Sequence, residues 1–258
     1  YCEDEQERTS MPDRETRTIL LVDSSASILF YLAMLLKRLE YRVVTARSAE
    51  DALRMMGDAL PSIVLTELSL PKMSGIQFLK HIRDTARYAA VPVVILTSEN
   101  DPGMKDTCTR IGCAGYVAKP VEPDVLYRTL QTASESVPRL NIRLRASLKV
   151  IVGDGSVIGG IKRTEYATAI SEGGLYIRTL YPQPRNALTP LRFFINDREI
   201  SARAVVLYSY ALGEGPFEEP GMGMKFVEIS DGDRALIRGF IKEQLTRDIT
   251  PQENSTAP

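Results

Sequence analysis

Histidine occurs once in the 258 residues, at His81, which leaves little room for His-based catalysis. Cysteine occurs three times, at Cys2, Cys108 and Cys113, an odd number with no CxxC spacing and no neighbouring histidine. A disulfide framework and a zinc site are both disfavoured, and packing is the simpler role for the two cysteines five apart. No long apolar run is present: the longest, Ile28 to Leu36, has nine residues, against roughly 20 for a bilayer span. No apolar signal segment is seen, so the expectation is a cytoplasmic protein without a membrane span. Charge of one sign is also lacking, with 32 Lys+Arg against 33 Asp+Glu. Neither half has the basic excess of a general nucleic-acid binder.

What is present is an ordinary globular composition, 44% hydrophobic and 25% charged, long enough for two domains. Residues 1–17 hold six acids and three bases with little to bury, and are expected to be a disordered tail. From Thr18 apolar bursts alternate with helical stretches: TILLVD, YRVVTA, SIVLTEL, VPVVILTS and GYVAKP, separated by helices near 27–39, 49–56, 75–83 and 102–111 and followed by one over 123–134. Bursts that are apolar throughout belong to strands buried on both faces, which predicts a five-stranded doubly wound parallel sheet over 18–136.

Near Val137-Pro138 the character changes, and residues 139–163 carry six bases against one acid, Asp154. Five β-like runs follow (SLKVIVGDG, LYIRTL, LRFFIND, ISARAVVLYSYAL, GMGMKFVEI), then a helix from about Asp231 to Leu245. Turn-separated runs at this spacing predict a second domain over 137–247, a small antiparallel barrel with a terminal helix, and a frayed tail over 248–258.

In an open α/β sheet, function gathers at the carboxyl ends of the strands, here Asp23, Ser24, Glu67, Thr97 and Lys119. With Lys119-Pro120 and the E-L-S-L-P stretch 67–71, this constellation resembles the receiver domain of bacterial response regulators, a flavodoxin-like fold. The resemblance implies an aspartate phosphoacceptor at the Glu67 position and two acids at the Asp23 and Ser24 positions holding Mg²⁺. It further implies that Thr97 and Lys119 meet the phosphoryl oxygens and that Tyr116 occupies a switch-aromatic position. Two of these five places depart from the pattern. Ser24 offers a neutral hydroxyl to a hard cation. Glu67 is longer than aspartate by one methylene, about 1.5 Å, and a misplacement of about 1 Å costs ~10²-fold in rate. Aspartyl phosphorylation is therefore expected to be absent, with Glu67 turned toward Lys119. Whether Glu67 only pairs with that lysine or permanently mimics a phosphorylated state stays open.

The first helix is read with a core stripe of Ile28, Leu32, Leu35, Leu36 and Leu39, and a second apolar face of Leu29, Phe30 and Met34 as an interface candidate for another subunit or the second domain.

At the entrance to the second domain, Arg139 and Arg143 stand four apart, followed by Arg145. A guanidinium fork pairs bidentately with phosphate oxygens or with the O6/N7 edge of guanine. Farther on, in the stretch from Ala169 to Ile177, Ser171 and Gly174 offer a hydroxyl and a close backbone approach. R-x-x-x-R, the S-x-x-G element and the strand Gly221 to Phe226 together resemble the PilZ domain, a six-stranded barrel that binds cyclic di-GMP. That resemblance implies Arg139 and Arg143 around the ligand's guanine and phosphate, and Ser171 and Gly174 on the opposite wall. Ala169 stands where the family has Asp or Asn, which is expected to weaken binding. The expected protein is a non-enzymatic signalling protein of motility or development, with no catalytic residue or metal, a protein partner of that machinery and an interdomain response to the ligand. The alternative is an interaction scaffold with neither input, its arginines paired with acids such as Glu172.

Overall fold

A computed structural model of the chain describes residues 17–98, 102–156, 160–214 and 219–249. They fall into two compact units, 17–142 together with 242–249, and 143–241.

The first unit alternates β1 (Thr18–Val22), α1 (Ala26–Arg38), β2 (Arg42–Ala46), α2 (Ala49–Asp58), β3 (Ile63–Thr66), α3 (Gly75–Asp84), β4 (Val93–Thr97), α4 (Pro102–Ile111), β5 (Gly115–Ala118) and α5 (Pro123–Ser134). The strands form a parallel sheet in the order β2-β1-β3-β4-β5. β3 and β4 are buried at every residue and β1 at all but its first, whereas β2, at the edge, buries only Ala46. Burial on both faces explains why the central strands are apolar without alternation. Serines set the helix starts. Ser25, Ser48 and Ser74 accept the backbone N–H of the third residue beyond each, and at Ser74 a capping box with Gln77 completes the turn.

The predicted stripe on α1 needs one correction. Leu29, Leu32, Leu35 and Leu36 are buried, while Ile28 is only half-buried. With the cap at Ser25, Leu29 lies three and seven residues from Leu32 and Leu36, on the sheet-facing side. Leu29 is thus a core residue and leaves the interface candidate. Phe30 is 63% exposed and Met34 half-buried.

The tails need correction too. Residues 1–16 and 250–258 lie outside the described residues, but Arg17 is no free tail: it pairs with Glu135 at 2.9 Å and donates to the Ser134 carbonyl at 2.7 Å. Ile249, expected to fray, is 7% exposed. In that part of the unit, Arg38 donates to the carbonyls of Gln244, Leu245 and Arg247. Those are the acceptors a helix end leaves without intrahelical partners.

The second unit is a closed antiparallel barrel in the order β10-β11-β8-β7-β6-β9. Its strands are β6 (Leu144–Val152), β7 (Arg163–Ser171), β8 (Gly174–Arg178), β9 (Leu188–Ile195), β10 (Arg198–Tyr210) and β11 (Gly221–Glu228), followed by α6 (Asp231–Thr246). The interior is filled by Val150, Ala167, Ile177, Leu191, Phe193, Ile200, Val206, Met222, Met224 and Phe226. The strand that no apolar run announces is β7, RTEYATAIS: it buries only Ala167 and Ile170, and its ladder is interrupted between Ala167 and Ala169. Closure removes the exposed sheet edges.

Phe193 is fully buried and stacks on Phe226 at 6.0 Å between centroids. Phe193→Ala is expected to destabilise the barrel by about 3–5 kcal/mol, measured as a lowered midpoint in urea unfolding followed by circular dichroism.

Candidate functional site

The residues at the carboxyl edge of the parallel sheet come from the turns after β1 and β3, the last residue of β4 and the turn after β5. Asp23, Glu67 and Thr97 are buried, at 3%, 7% and 0% exposure, whereas Ser24 is exposed. Lys119 brings two of them together. Its Nζ donates to Asp23 Oδ2 at 2.7 Å and to Glu67 Oε2 at 2.5 Å, with the lysine side chain 11% exposed. The other oxygens are engaged locally: Asp23 Oδ1 accepts the Ser25 N–H at 2.8 Å, and Glu67 Oε1 accepts the N–H groups of Leu68 at 2.6 Å and Ser69 at 3.3 Å. The longer glutamate side chain thus folds back over its own following turn. That turn is held close to α3, since a β-carbon on Gly75 would lie 2.3 Å from the Glu67 carbonyl oxygen. Tyr116 packs half-buried against the core beside the site.

Burial by itself would lower the pKa of Lys119, but its hydrogen bonds to Asp23 and Glu67 and their negative charge outweigh it and raise the value above the usual lysine range. Two buried carboxylates sharing one ammonium form a cluster that tolerates the loss of either acid better than the loss of the lysine. A divalent cation fits this donor set poorly: both carboxylates already hold the ammonium, and Ser24 adds only a neutral oxygen. No cluster of three or more His, Cys, Asp or Glu suited to a metal occurs among the described residues.

On the barrel, Arg143 is exposed just before β6, and Ser171 and Gly174 flank the turn joining β7 and β8. Leu144 pairs with Ile170, so Arg143 stands at the level of Ser171, one step beyond the end of the ladder. The Ser171 hydroxyl donates to the Gly174 carbonyl at 3.1 Å. Gly174 is required by close approach: a β-carbon there would lie 2.0 Å from the Met224 carbonyl oxygen. Between them, the Glu172 carboxylate binds the Arg238 guanidinium through two hydrogen bonds, and its carbonyl accepts from Arg234. Arg139 belongs to the other unit, where it is half-buried and its backbone N–H donates to Gln131 Oε1 at 3.2 Å.

Sequence reasoning missed three tyrosines on the barrel. Tyr176 and Tyr208 stack at 6.4 Å between centroids, and Tyr208 and Tyr210 meet at 5.3 Å. The alternation Tyr208-Ser-Tyr210 facing Gly221-Met-Gly223 was the available signal, since residues without a β-carbon leave space for rings on the neighbouring strand. Burial, with smaller contributions from Tyr208, Tyr210 and Glu219, pushes the Tyr176 phenol up to about 12, so it is neutral at physiological pH.

A five-stranded α/β sheet with acids and a lysine at its carboxyl edge, followed by a closed six-stranded barrel, defines a two-module signalling protein. Comparison with known proteins agrees: the response regulator receiver domain model matches residues 19–131 and the PilZ domain model residues 136–243. The two-component response regulator ORR3 of Oryza sativa subsp. indica is 31% identical over 120 residues, covering 46% of this chain and 91% of the relative. The probable transcriptional regulator ycf27 of Guillardia theta is 34% identical over 115 residues, 44% of each chain. Among solved structures, chemotaxis protein CheY4 of Vibrio cholerae is 30% identical, with a TM-score of 0.44 over 46% of this chain and 99% of that one. The chain belongs to the response-regulator family, and its receiver domain is followed by a PilZ domain, the architecture of signalling proteins of the cyclic di-GMP type. No helix among the described residues is long and apolar enough to cross a membrane.

Lys119→Met strands two buried carboxylates side by side and is expected to cost about 3–5 kcal/mol, whereas Glu67→Gln keeps an acceptor and is expected to cost about 1.5 kcal/mol. Urea unfolding at neutral pH checks the order. Because the Lys119 pKa is raised on folding, its contribution is whole below the ordinary lysine range and lost as pH rises through the folded value. On the alkaline side, the gap between wild type and Lys119→Met should therefore persist through neutral pH and narrow in strongly alkaline solution.

Proposed function

We propose that this protein is a signalling receptor in which the receiver domain runs no phosphoryl cycle and the PilZ barrel senses cyclic di-GMP. The observation that carries the first half is the Lys119 bridge between Asp23 and Glu67. The carboxylate at the acceptor position spends one oxygen on the lysine and the other on the Leu68 and Ser69 amides, so neither is presented for in-line attack on a phosphoryl donor. Glu67 instead supplies a permanent negative charge to Lys119, and the receiver is held in one state.

The barrel supplies the input. Arg143 offers an exposed guanidinium to phosphate or to the guanine O6/N7 edge, with Ser171 and Gly174 beside it. Arg139, in the connecting segment, supplies the second guanidinium, and occupancy is passed on through that linker. The protein makes no covalent bond; its output is a change in what a partner protein of the motility or developmental machinery recognises. The residues 18–136 and 137–247 are the proposed bounds of the two domains, and the cytoplasm the proposed compartment.

Two experiments test this reading. Intact-mass analysis after incubation with acetyl phosphate and Mg²⁺ should show no added phosphoryl group; a stoichiometric adduct on the receiver domain would overturn the first half. Isothermal titration with cyclic di-GMP should show binding by the wild type. Arg143→Ala should weaken it by about tenfold to a hundredfold, as expected for one bidentate contact worth about 1–3 kcal/mol. Absence of heat with the wild type would leave the protein as an interaction scaffold, with exposed Phe30 on α1 as its starting point.

A further inference from the structure

The register of the barrel places a set of side chains in one row around its outside. Arg145 on β6 pairs with Ala169 on β7, Ala169 with Tyr176 on β8, Tyr176 with Gly223 on β11, and Gly223 with Tyr208 on β10. Cross-strand partners point to the same face. Met222, Met224 and Phe226 fill the interior, so Gly221 and Gly223 lie on the outer face of β11. A bulge between Val206 and Tyr208 brings β10 into phase with them: Val206 is inside, whereas Tyr208 and Tyr210 pair with Gly223 and Gly221 outside.

The glycines form the floor of this patch. A β-carbon on Gly223 would lie 2.3 Å from the Tyr208 ring, and one on Gly221 2.8 Å from the Tyr176 hydroxyl oxygen. The Tyr176 hydroxyl donates to the Glu219 carbonyl at 3.0 Å, which anchors one end of the ring series. At the other end stands Tyr210, 5.3 Å from Tyr208 between ring centroids and level with Gly221. The row thus combines π-faces with cations, and at the Ala169 position it has a methyl group in place of a hydrogen-bonding side chain.

We propose that Tyr208 and Tyr210 form a base-stacking subsite that takes a guanine ring of the ligand on the outer barrel face that carries Arg145 and Ala169, replacing the polar contact that Ala169 cannot make. The inference rests on the reading of the barrel as a cyclic di-GMP receptor and adds to it the groups that hold the base. Stacking on an aromatic side chain is worth about 5-fold to 150-fold in affinity per base and needs no hydrogen-bond donor at Ala169.

Titration calorimetry of the full chain with cyclic di-GMP tests it, using wild type, Tyr210→Phe, Tyr210→Leu and Arg143→Ala. Leucine keeps an apolar cover over the strand and removes the π-face; phenylalanine keeps the ring. Tyr210→Phe should bind within about twofold of wild type and Tyr210→Leu at least about tenfold more weakly, each with an unchanged circular dichroism spectrum. If Tyr210→Leu binds as wild type while Arg143→Ala is impaired, the ligand reading stands and the stacking subsite is overturned, the rings serving only to cover the glycines. If the wild type gives no heat, the ligand reading fails, and the subsite is judged on guanosine monophosphate by ligand-observed saturation transfer. Transfer to the guanine H8 that Tyr210→Leu abolishes supports the subsite, and its absence in wild type, or its persistence in Tyr210→Leu, overturns it.

Discussion

One ammonium group shared between two buried carboxylates governs the receiver half of this protein. Lys119 sits between Asp23 and Glu67 at the carboxyl edge of a sheet whose central strands are buried almost throughout. Burial penalises each charge by itself, and the pairing offsets that penalty only while the three groups stay together. The turns after β1, β3 and β5 are thereby tied to one another at the carboxyl edge of the sheet. The Glu67 side chain is long enough for its carboxylate to reach the lysine and still fold back onto the Leu68 and Ser69 amides.

The barrel obeys a different constraint, that of backbone approach. Gly174 comes so near the Met224 carbonyl that no side chain fits, and Gly221 and Gly223 leave room for the rings of Tyr176 and Tyr208. Small residues on one strand thus fix where large ones on its neighbours lie. The result is an outer face where aromatic surface lies on the same barrel face as Arg145. The two modules divide their chemistry accordingly: fixed, internally paired charge in one, exposed cations and π-faces in the other.

Much of the receiver was legible because its signals are local and redundant. Apolar bursts of the right length, serines at helix starts and acids or a lysine at strand ends all agree, and each depends on a few consecutive residues. The face of α1 was misjudged by one residue, Leu29 for Ile28, because the helix begins at its Ser25 cap and the apolar run alone does not mark that point. Arg17 and Ile249 were assigned to tails because their partners lie more than a hundred residues away in the chain or in contacts that no sequence window spans. In the barrel, β7 was indistinct since it buries only two side chains and is interrupted by a bulge.

By itself the sequence determined the class of each module, since a parallel sheet buried on both faces and a turn-rich antiparallel barrel impose different hydrophobic periods. It also determined the inventory at the strand ends, including the serine and glutamate that replace acids of other lengths and charges. Tertiary structure alone decided which oxygen meets which proton around Lys119, and which residues share a row on the barrel. Tyr176, Gly223 and Tyr208 lie on three strands, and their alignment depends on a bulge that shifts β10 by one residue. Register and charge pairing are relations between distant segments, and those relations exist only once the chain has closed upon itself.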